Sequence, residues 1–414
     1  MNSGVKNKKT YLRLTLFAIL IGCLTNVYRF YKNNTHFEVQ DWLINYQAGF
    51  VRRGLTGELF HNLSEIFNVE IRFFYLLFLY IILICFFYLV YDLLKNIKFT
   101  LINILIIFCP LSIIYNVLDA KSTGRKEILF LLFFLFFLSF IDKIRRKENS
   151  VLLITILSPL LLLMHEGVLF FLPYFYSIIF IYINSENKKK IYLYSIFFTL
   201  IIMFTTFFLF TSGATLDQVS IICDSLGSSS RIDCLEGGAI VELSRNLNIA
   251  FEDVKNRNLY GIWNGFLKIS IIGFMLTFIP ILISIFFLQK RNINFNPNNS
   301  LLRIFPFQFV LFVPLVFTLP LYFFTLDWGR WIHTSYTLTM FCFVFYIKKG
   351  FLLEIDSGLR INNFLSNTNE YLKRFLFALI IIIYCLGWYL PYCCNTKIQF
   401  PIIKSIKNIT RVLN

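Results

Sequence analysis

The chain has 414 residues, is 57 % hydrophobic with 51 Phe, and has a mean hydropathy of +0.68. Apolar runs of roughly span length recur along its whole extent, which excludes one soluble core and reads as a single integral membrane domain over 1–414. The net charge of +16 would suit a nucleic-acid binder, but the basic residues sit in short loops between apolar runs. That is the pattern of membrane orientation, so no nucleic acid is expected.

Lys6, Lys8, Lys9 and Arg13 precede the apolar run Leu14–Val27, and no small-residue cleavage site is clear. An uncleaved signal anchor with a cytoplasmic N-terminus is expected, in preference to lipoprotein processing at Leu20-Ile21-Gly22-Cys23. About eleven spans follow the chain, at roughly 11–28, 72–94, 99–118, 128–141, 150–164, 167–183, 191–211, 263–288, 304–325, 332–347 and 375–390. The expected fold is therefore all-α, a polytopic transmembrane helical bundle. With the N-terminus inside, about 21 Lys and Arg fall in roughly 74 inner loop residues, against about 17 in roughly 135 outer ones. The density is about twofold higher inside, the sign that orientation requires. The long loops at about 29–71 and 212–262 then lie outside. Residues 150–183 are read as a hairpin turning at His165-Glu166-Gly167, because one broken helix would put the basic clusters 143–147 and 188–190 on opposite sides. Spans as short as 128–141 and 332–347 imply re-entrant or membrane-dipping outer loops that line a cavity.

The unusual polar residues gather on the outer face under this topology. They are Glu38, Asp41, Arg52 and Arg53 in the first loop, Lys121, Arg125, Lys126 and Glu127 in the second, His165 and Glu166 in the third, and Asp327–His333 in the fifth. Three arginines have a glycine neighbour: Arg53-Gly54, Gly124-Arg125 and Gly329-Arg330. Glycine lets backbone approach a ligand, and the arginine fork matches phosphate oxygens two at a time. A lipid-linked diphosphate is the ligand such a face would suit. Other readings stand beside this one. Arg52 and Arg53 also fit snorkelling anchors, Lys121, Arg125 and Lys126 a solvated turn, His165 and Glu166 a helix cap, and Asp327 with Arg330 a local salt bridge. Trp42, Trp263, Trp328, Trp331 and Trp388 fit an aromatic belt, while Trp328 and Trp331 also suit sugar stacking. Cys223 and Cys234 share the long outer loop and are a candidate disulfide.

No Cys/His cluster has metal-ligand spacing, and there is neither a P-loop nor a dinucleotide-binding glycine fingerprint. No metal and no cofactor are expected.

In its many spans and arginine-bearing outer loops, and locally in Phe50–Gly57, His165–Gly167 and Asp327–Trp331, the chain resembles the Wzy-type O-antigen and capsular polysaccharide polymerases. Arg231 to Leu235 also fits the Arg-x-x-x-Leu element of related ligases. The resemblance implies a bacterial inner-membrane enzyme that joins undecaprenyl-diphosphate-linked oligosaccharides at the periplasmic face, with membrane lipids and a chain-length regulator as partners. Under that reading Arg52, Arg53, Arg330 and Arg125 offset charge on the departing diphosphate. Glu166 is the first choice as base, since desolvation would raise its pKa, with Asp327 and His165 next. Trp328 and Trp331 would contact sugar. A polyprenyl-phosphate-sugar glycosyltransferase of the GT-C type is the alternative, resting on Glu38 and Asp41 in the first outer loop. A lipid-linked oligosaccharide flippase is the third reading.

Overall fold

The computed structural model describes residues 2–32, 37–144, 148–182, 188–227, 234, 238–244, 252, 266–287, 307–324, 327–350, 370–393 and 398–401. Their regular elements are helices, with one isolated antiparallel bridge between Tyr389 and Gln399. In chain order these are α1 (Asn2–Lys32), α2 (Phe37–Leu43), α3 (Leu55–Phe67), α4 (Ile71–Leu94), α5 (Leu101–Ile107), α6 (Tyr115–Leu118), α7 (Ala120–Thr123) and α8 (Glu127–Lys143). Next come α9 (Glu148–Met164), a 3-10 turn (Glu166–Phe171), α10 (Pro173–Tyr182), α11 (Lys188–Thr211), α12 (Leu216–Ser225) and a second 3-10 turn (Val241–Ser244). The remainder are α13 (Phe266–Phe287), α14 (Phe307–Val316), α15 (Leu319–Phe324), α16 (Trp328–Lys348) and α17 (Glu370–Leu386).

Three of these helices are long and apolar enough to cross a membrane: Lys8–Lys32, Ile71–Leu94 and Lys189–Thr211. Other expected spans correspond to shorter apolar helices. The run expected at 99–118 is broken rather than continuous. α5 ends three residues before Pro110, whose ring removes a donor and excludes a helical turn. Ser112 Oγ then donates to the carbonyls of Ile107 and Cys109 at 2.6 and 2.7 Å, satisfying acceptors that the helix leaves behind. The run at 304–325 likewise divides into α14 and α15. The segment expected at 332–347 is longer than the hydropathy suggested, a helix of 21 residues starting at Trp328. Its Thr and Ser hydroxyls hid the length, and three of them bond locally: Thr334 Oγ1 and Thr339 Oγ1 donate to carbonyls four residues back, and Ser335 Oγ donates to Thr318 Oγ1.

Chain packing divides the protein into two compact units, Met1–Asp92 with Thr123–Asp253, and Leu93–Ser122 with Val254–Asn414. In the first unit α9 packs along α11, and α2 packs on α3. Within the stretch expected as a loop at about 29–71 there are thus two helices, α2 and α3. Gly57 makes their contact possible, because a Cβ there would overlap the carbonyl of Ile44. Trp42 is fully buried in that contact, its Nε1 donating to the Gly124 carbonyl at 2.7 Å. In the second unit α16 is buried along nearly its whole length, with α13, α14 and α15 against it. Tyr336 Oη and His333 Nδ1 donate to the carbonyls of Ile106 and Leu111 at 2.9 and 3.0 Å, the other acceptors freed where the 99–118 run breaks.

Candidate functional site

The first unit gathers four carboxylates, Glu38, Asp41, Glu127 and Glu166, with Arg52, Arg53, Arg125, Lys126 and His165. Several elements supply them: α2, the turn before α3, the start of α8, and the break between α9 and α10. That break falls where the sequence places a turn. α9 stops at Met164, and His165 is extended, its Nδ1 accepting the Gly167 N–H at 3.0 Å. This leaves the ring proton on Nε2, which faces Glu127 Oε1 at 3.4 Å.

Arg53 is the hub. Its backbone is left-handed, at φ 67°, an unusual state for a residue with a Cβ. Lys126 Nζ donates to the Arg53 carbonyl at 3.0 Å and fixes that conformation from outside the turn. Gly54 follows, and a Cβ there would overlap the Tyr46 ring. The Arg53 side chain so aimed reaches Glu166 with two prongs: Nε donates to Oε2 at 2.7 Å and to Oε1 at 3.0 Å, and Nη2 donates to Oε1. Its Nη1 lies 3.6 Å from Asp41 Oδ1. Arg52 Nη1 approaches the same Glu166 carboxylate at 3.9 Å, while its Nη2 donates to the Glu242 carbonyl at 3.4 Å.

Asp41 is fully buried, and neither of its carboxylate oxygens has a hydrogen-bond donor. Burial alone would push its pKa up, but the charges of Lys126, Arg53 and Arg125 hold it below the ordinary carboxylate range. Burial pushes the Lys126 ammonium down to about 8, against the pull of Asp41. Glu166 corrects the sequence expectation. Burial does favour its neutral form, but the charge and hydrogen bonds of Arg53, with His165 and Arg52, outweigh this and hold it well below the usual range. In this state Glu166 is a poor proton acceptor.

Arg125 does not join the arginine pair. It lies 3.7 Å from Glu38 and stacks over the Phe37 ring at 4.6 Å, so it fastens α2. The segment after α11 covers the turn. Arg52 N–H donates to the Ser212 carbonyl, Gln218 Nε2 donates to the Ala48 carbonyl at 3.1 Å, and Asn45 Nδ2 donates to Ser225 Oγ at 2.8 Å. Cys223 and Cys234 form a disulfide within it. Arg231 and Leu235 lie outside the described residues, as does Trp263.

Asp327, Trp328, Arg330 and Trp331 belong to the second unit. There Arg330 Nη1 donates to Asp327 Oδ2 at 3.2 Å, the local salt bridge that the sequence left open. The guanidinium sits 4.4 Å from the Trp331 ring centre and 5.6 Å from that of Tyr392. Trp331 is buried and its ring carries the arginine, and Trp328 packs edge-on against Tyr322. An aromatic belt does not describe Trp42, Trp331 or Trp388, all of them buried.

Lys126 and Glu127 are the functional candidates that the sequence named without a role. Beside a basic turn they read as solvated. The available signal was their position, a Lys-Glu pair directly against an apolar run.

The same unit holds an apolar groove. Its volume is about 640 Å³, and α4, α8 and α9 line it with Ile84, Tyr88, Leu129, Phe133, Leu161 and Met164 among others. Met164 is next in sequence to His165 and Glu166, and Leu129 is two residues from Glu127. Known protein families, curated proteins and solved structures offer no match to the chain. Among the described residues, fold and site define a helical protein with membrane-compatible helices, a buried ionic cluster and an apolar groove in one unit.

Proposed function

We propose that the chain is a multi-pass bacterial inner-membrane enzyme of about eleven spans, its N-terminus cytoplasmic. We infer that it polymerises undecaprenyl-diphosphate-linked oligosaccharides at the periplasmic face. One observation carries the reading: the first unit holds both the Arg52–Arg53 cluster and an apolar groove whose Met164 directly precedes His165 and Glu166, features that suit an amphiphile with an anionic head and an apolar tail. In the reaction the acceptor hydroxyl attacks the anomeric carbon of the donor sugar. The bond from that carbon to the diphosphate breaks with its electron pair on the leaving oxygen. Arg52 and Arg53 offset the charge that grows there. The hydroxyl proton passes to a carboxylate of the cluster.

The test is deletion of the gene in a polysaccharide-producing strain, followed by gel analysis of surface polysaccharide. Loss of the ladder with retention of a one-unit band is expected, with rescue by the wild-type gene and not by Arg53→Ala. A normal ladder in the deletion strain sinks the proposal.

The burial of Asp41 and the lack of a hydrogen-bond donor to its oxygens favour a second reading, a GT-C-type glycosyltransferase whose first outer segment carries an essential acid. Asp41→Asn distinguishes the two: it abolishes activity under the second reading and spares a polymerase that relies on arginines.

A further inference from the structure

The Glu166 carboxylate occupies the position that the two arginines would offer a phosphate. Both guanidinium groups converge on it, one of them with two prongs. Arg52, Leu162, Glu166, Thr206, Leu209 and Phe210 line a small cleft. Its open volume of about 10 Å³ holds roughly one water-sized sphere, far less than a diphosphate needs. Yet the cleft is provided with unused polar groups. Thr199, Thr205 and Thr211 on α11 donate their hydroxyls to carbonyls four residues back, but Thr206 Oγ1, shielded from solvent, has no partner. Arg52 Nε is likewise without one. Two donors left unmade in a closed cleft are costly unless another state uses them.

We propose that Arg52, Arg53 and Thr206 form a diphosphate site in which Glu166 is a resident stand-in, displaced when the ligand's phosphates take over the arginine contacts. This rests on the lipid-diphosphate reading above and deepens it. The carboxylate is about one-fifth exposed and begins a short 3-10 turn, so a side-chain rotation frees it without moving α9 or α10. Once parted from Arg53 it keeps its burial and loses the charge that held its proton off. Glu166 then becomes a competent base only when the leaving group is in place. The site would not deprotonate a hydroxyl before the donor arrives.

The experiment measures binding to the full chain in lipid nanodiscs, with farnesyl diphosphate, inorganic pyrophosphate and farnesol as probes. Glu166→Gln keeps the shape and removes the competing charge, so farnesyl diphosphate should bind about tenfold or more tightly than to wild type. Unchanged or weaker binding overturns the exchange. If wild type still binds and Arg53→Ala does not, the lipid-diphosphate reading survives that outcome. If no probe binds wild type, both fall. Pyrophosphate binding as tightly as farnesyl diphosphate would identify a free anion as the ligand, and farnesol alone a site for the tail. Thr206→Val carries the test should Glu166→Gln fail to fold. It leaves the Arg53–Glu166 pair intact and should weaken farnesyl diphosphate by about threefold or more, and unchanged affinity overturns the proposal.

Discussion

Lys126 Nζ donates to the carbonyl of Arg53, so one fully buried cation holds the backbone of another in a left-handed turn. The arrangement explains how two like charges come to be neighbours. The ammonium is used for backbone geometry and the guanidinium for the carboxylates. Removing Lys126 therefore acts on Arg53 first.

Lys126→Met should remove the hydrogen bond that steadies the turn and leave Asp41 with one cation fewer, destabilising the protein by about 3 kcal/mol. Thermal unfolding of purified protein measures this. A loss below about 0.5 kcal/mol would mean that the turn holds itself.

The same lysine gives the stability a pH signature. Its folded pKa, about 8, lies below that of an unfolded lysine, so the unfolded chain holds more protons between the two. Stability should rise as pH goes from about 8 towards 10, and Lys126→Met should lack this rise. Glu166 and Asp41 act at the other end. Their folded pKa values are depressed, so their contribution is present above the ordinary carboxylate range and is lost as pH falls below about 4. Unfolding midpoints across pH, in wild type and Lys126→Met, check both limbs.

Gly57→Ala should destabilise the protein despite the gain in helix propensity. Alanine is worth about 1 kcal/mol over glycine inside a helix. A Cβ at this site meets backbone rather than a movable side chain, since the obstruction is the Ile44 carbonyl. Parting α2 from α3 should cost about 3 kcal/mol, and the clash therefore wins. Thermal unfolding of the single variant decides the sign.

Arg53→Lys keeps the charge and loses the fork. The two-pronged contact with Glu166 cannot be rebuilt by one ammonium, so polymer yield should drop about tenfold or more in the complementation assay. Wild-type yield would show that charge alone suffices there.

Replacing Cys223 and Cys234 by serine opens a loop whose ends are 11 residues apart. Chain entropy puts the loss near 3 kcal/mol. Because Ser225 inside that loop accepts from Asn45, and Gln218 just before it donates to the Ala48 carbonyl, the variant should also admit protease to 212–244 faster than wild type. Limited proteolysis followed by mass spectrometry reads the cut sites.

The sequence was most legible where one kind of residue dominates. α4 and α11 carry long apolar runs, and their ends fall within three residues of where hydropathy puts them, whereas α1 extends past its apolar run at both ends. Legibility failed where a local feature competes with hydropathy. Pro110 breaks a run that is apolar throughout, and the hydroxyls of Thr334–Thr339 disguise a buried helix whose polar groups bond to its own backbone and neighbours. At the site, residue types signalled charge pairing but not the partners. Arg53 meets Glu166 across 113 positions, and Arg125 turns to Glu38 instead. The acidity of Glu166 was misjudged because burial was weighed without knowing which cation stood beside it. Spacing along a chain carries no information about such pairings.

The separation between Arg53 and Glu166 also matters for how the protein is made. Synthesis runs from the N-terminus, so Arg52 and Arg53 leave the ribosome with α2 and α3 well before their acidic partner exists. Of the carboxylates gathered in that cluster, Glu38, Asp41 and Glu127 emerge before Glu166, and Asp41 is the one that Arg53 approaches. A nascent chain stalled before α9 therefore carries Arg52 and Arg53 without their two-pronged carboxylate partner, a state distinct from the finished protein.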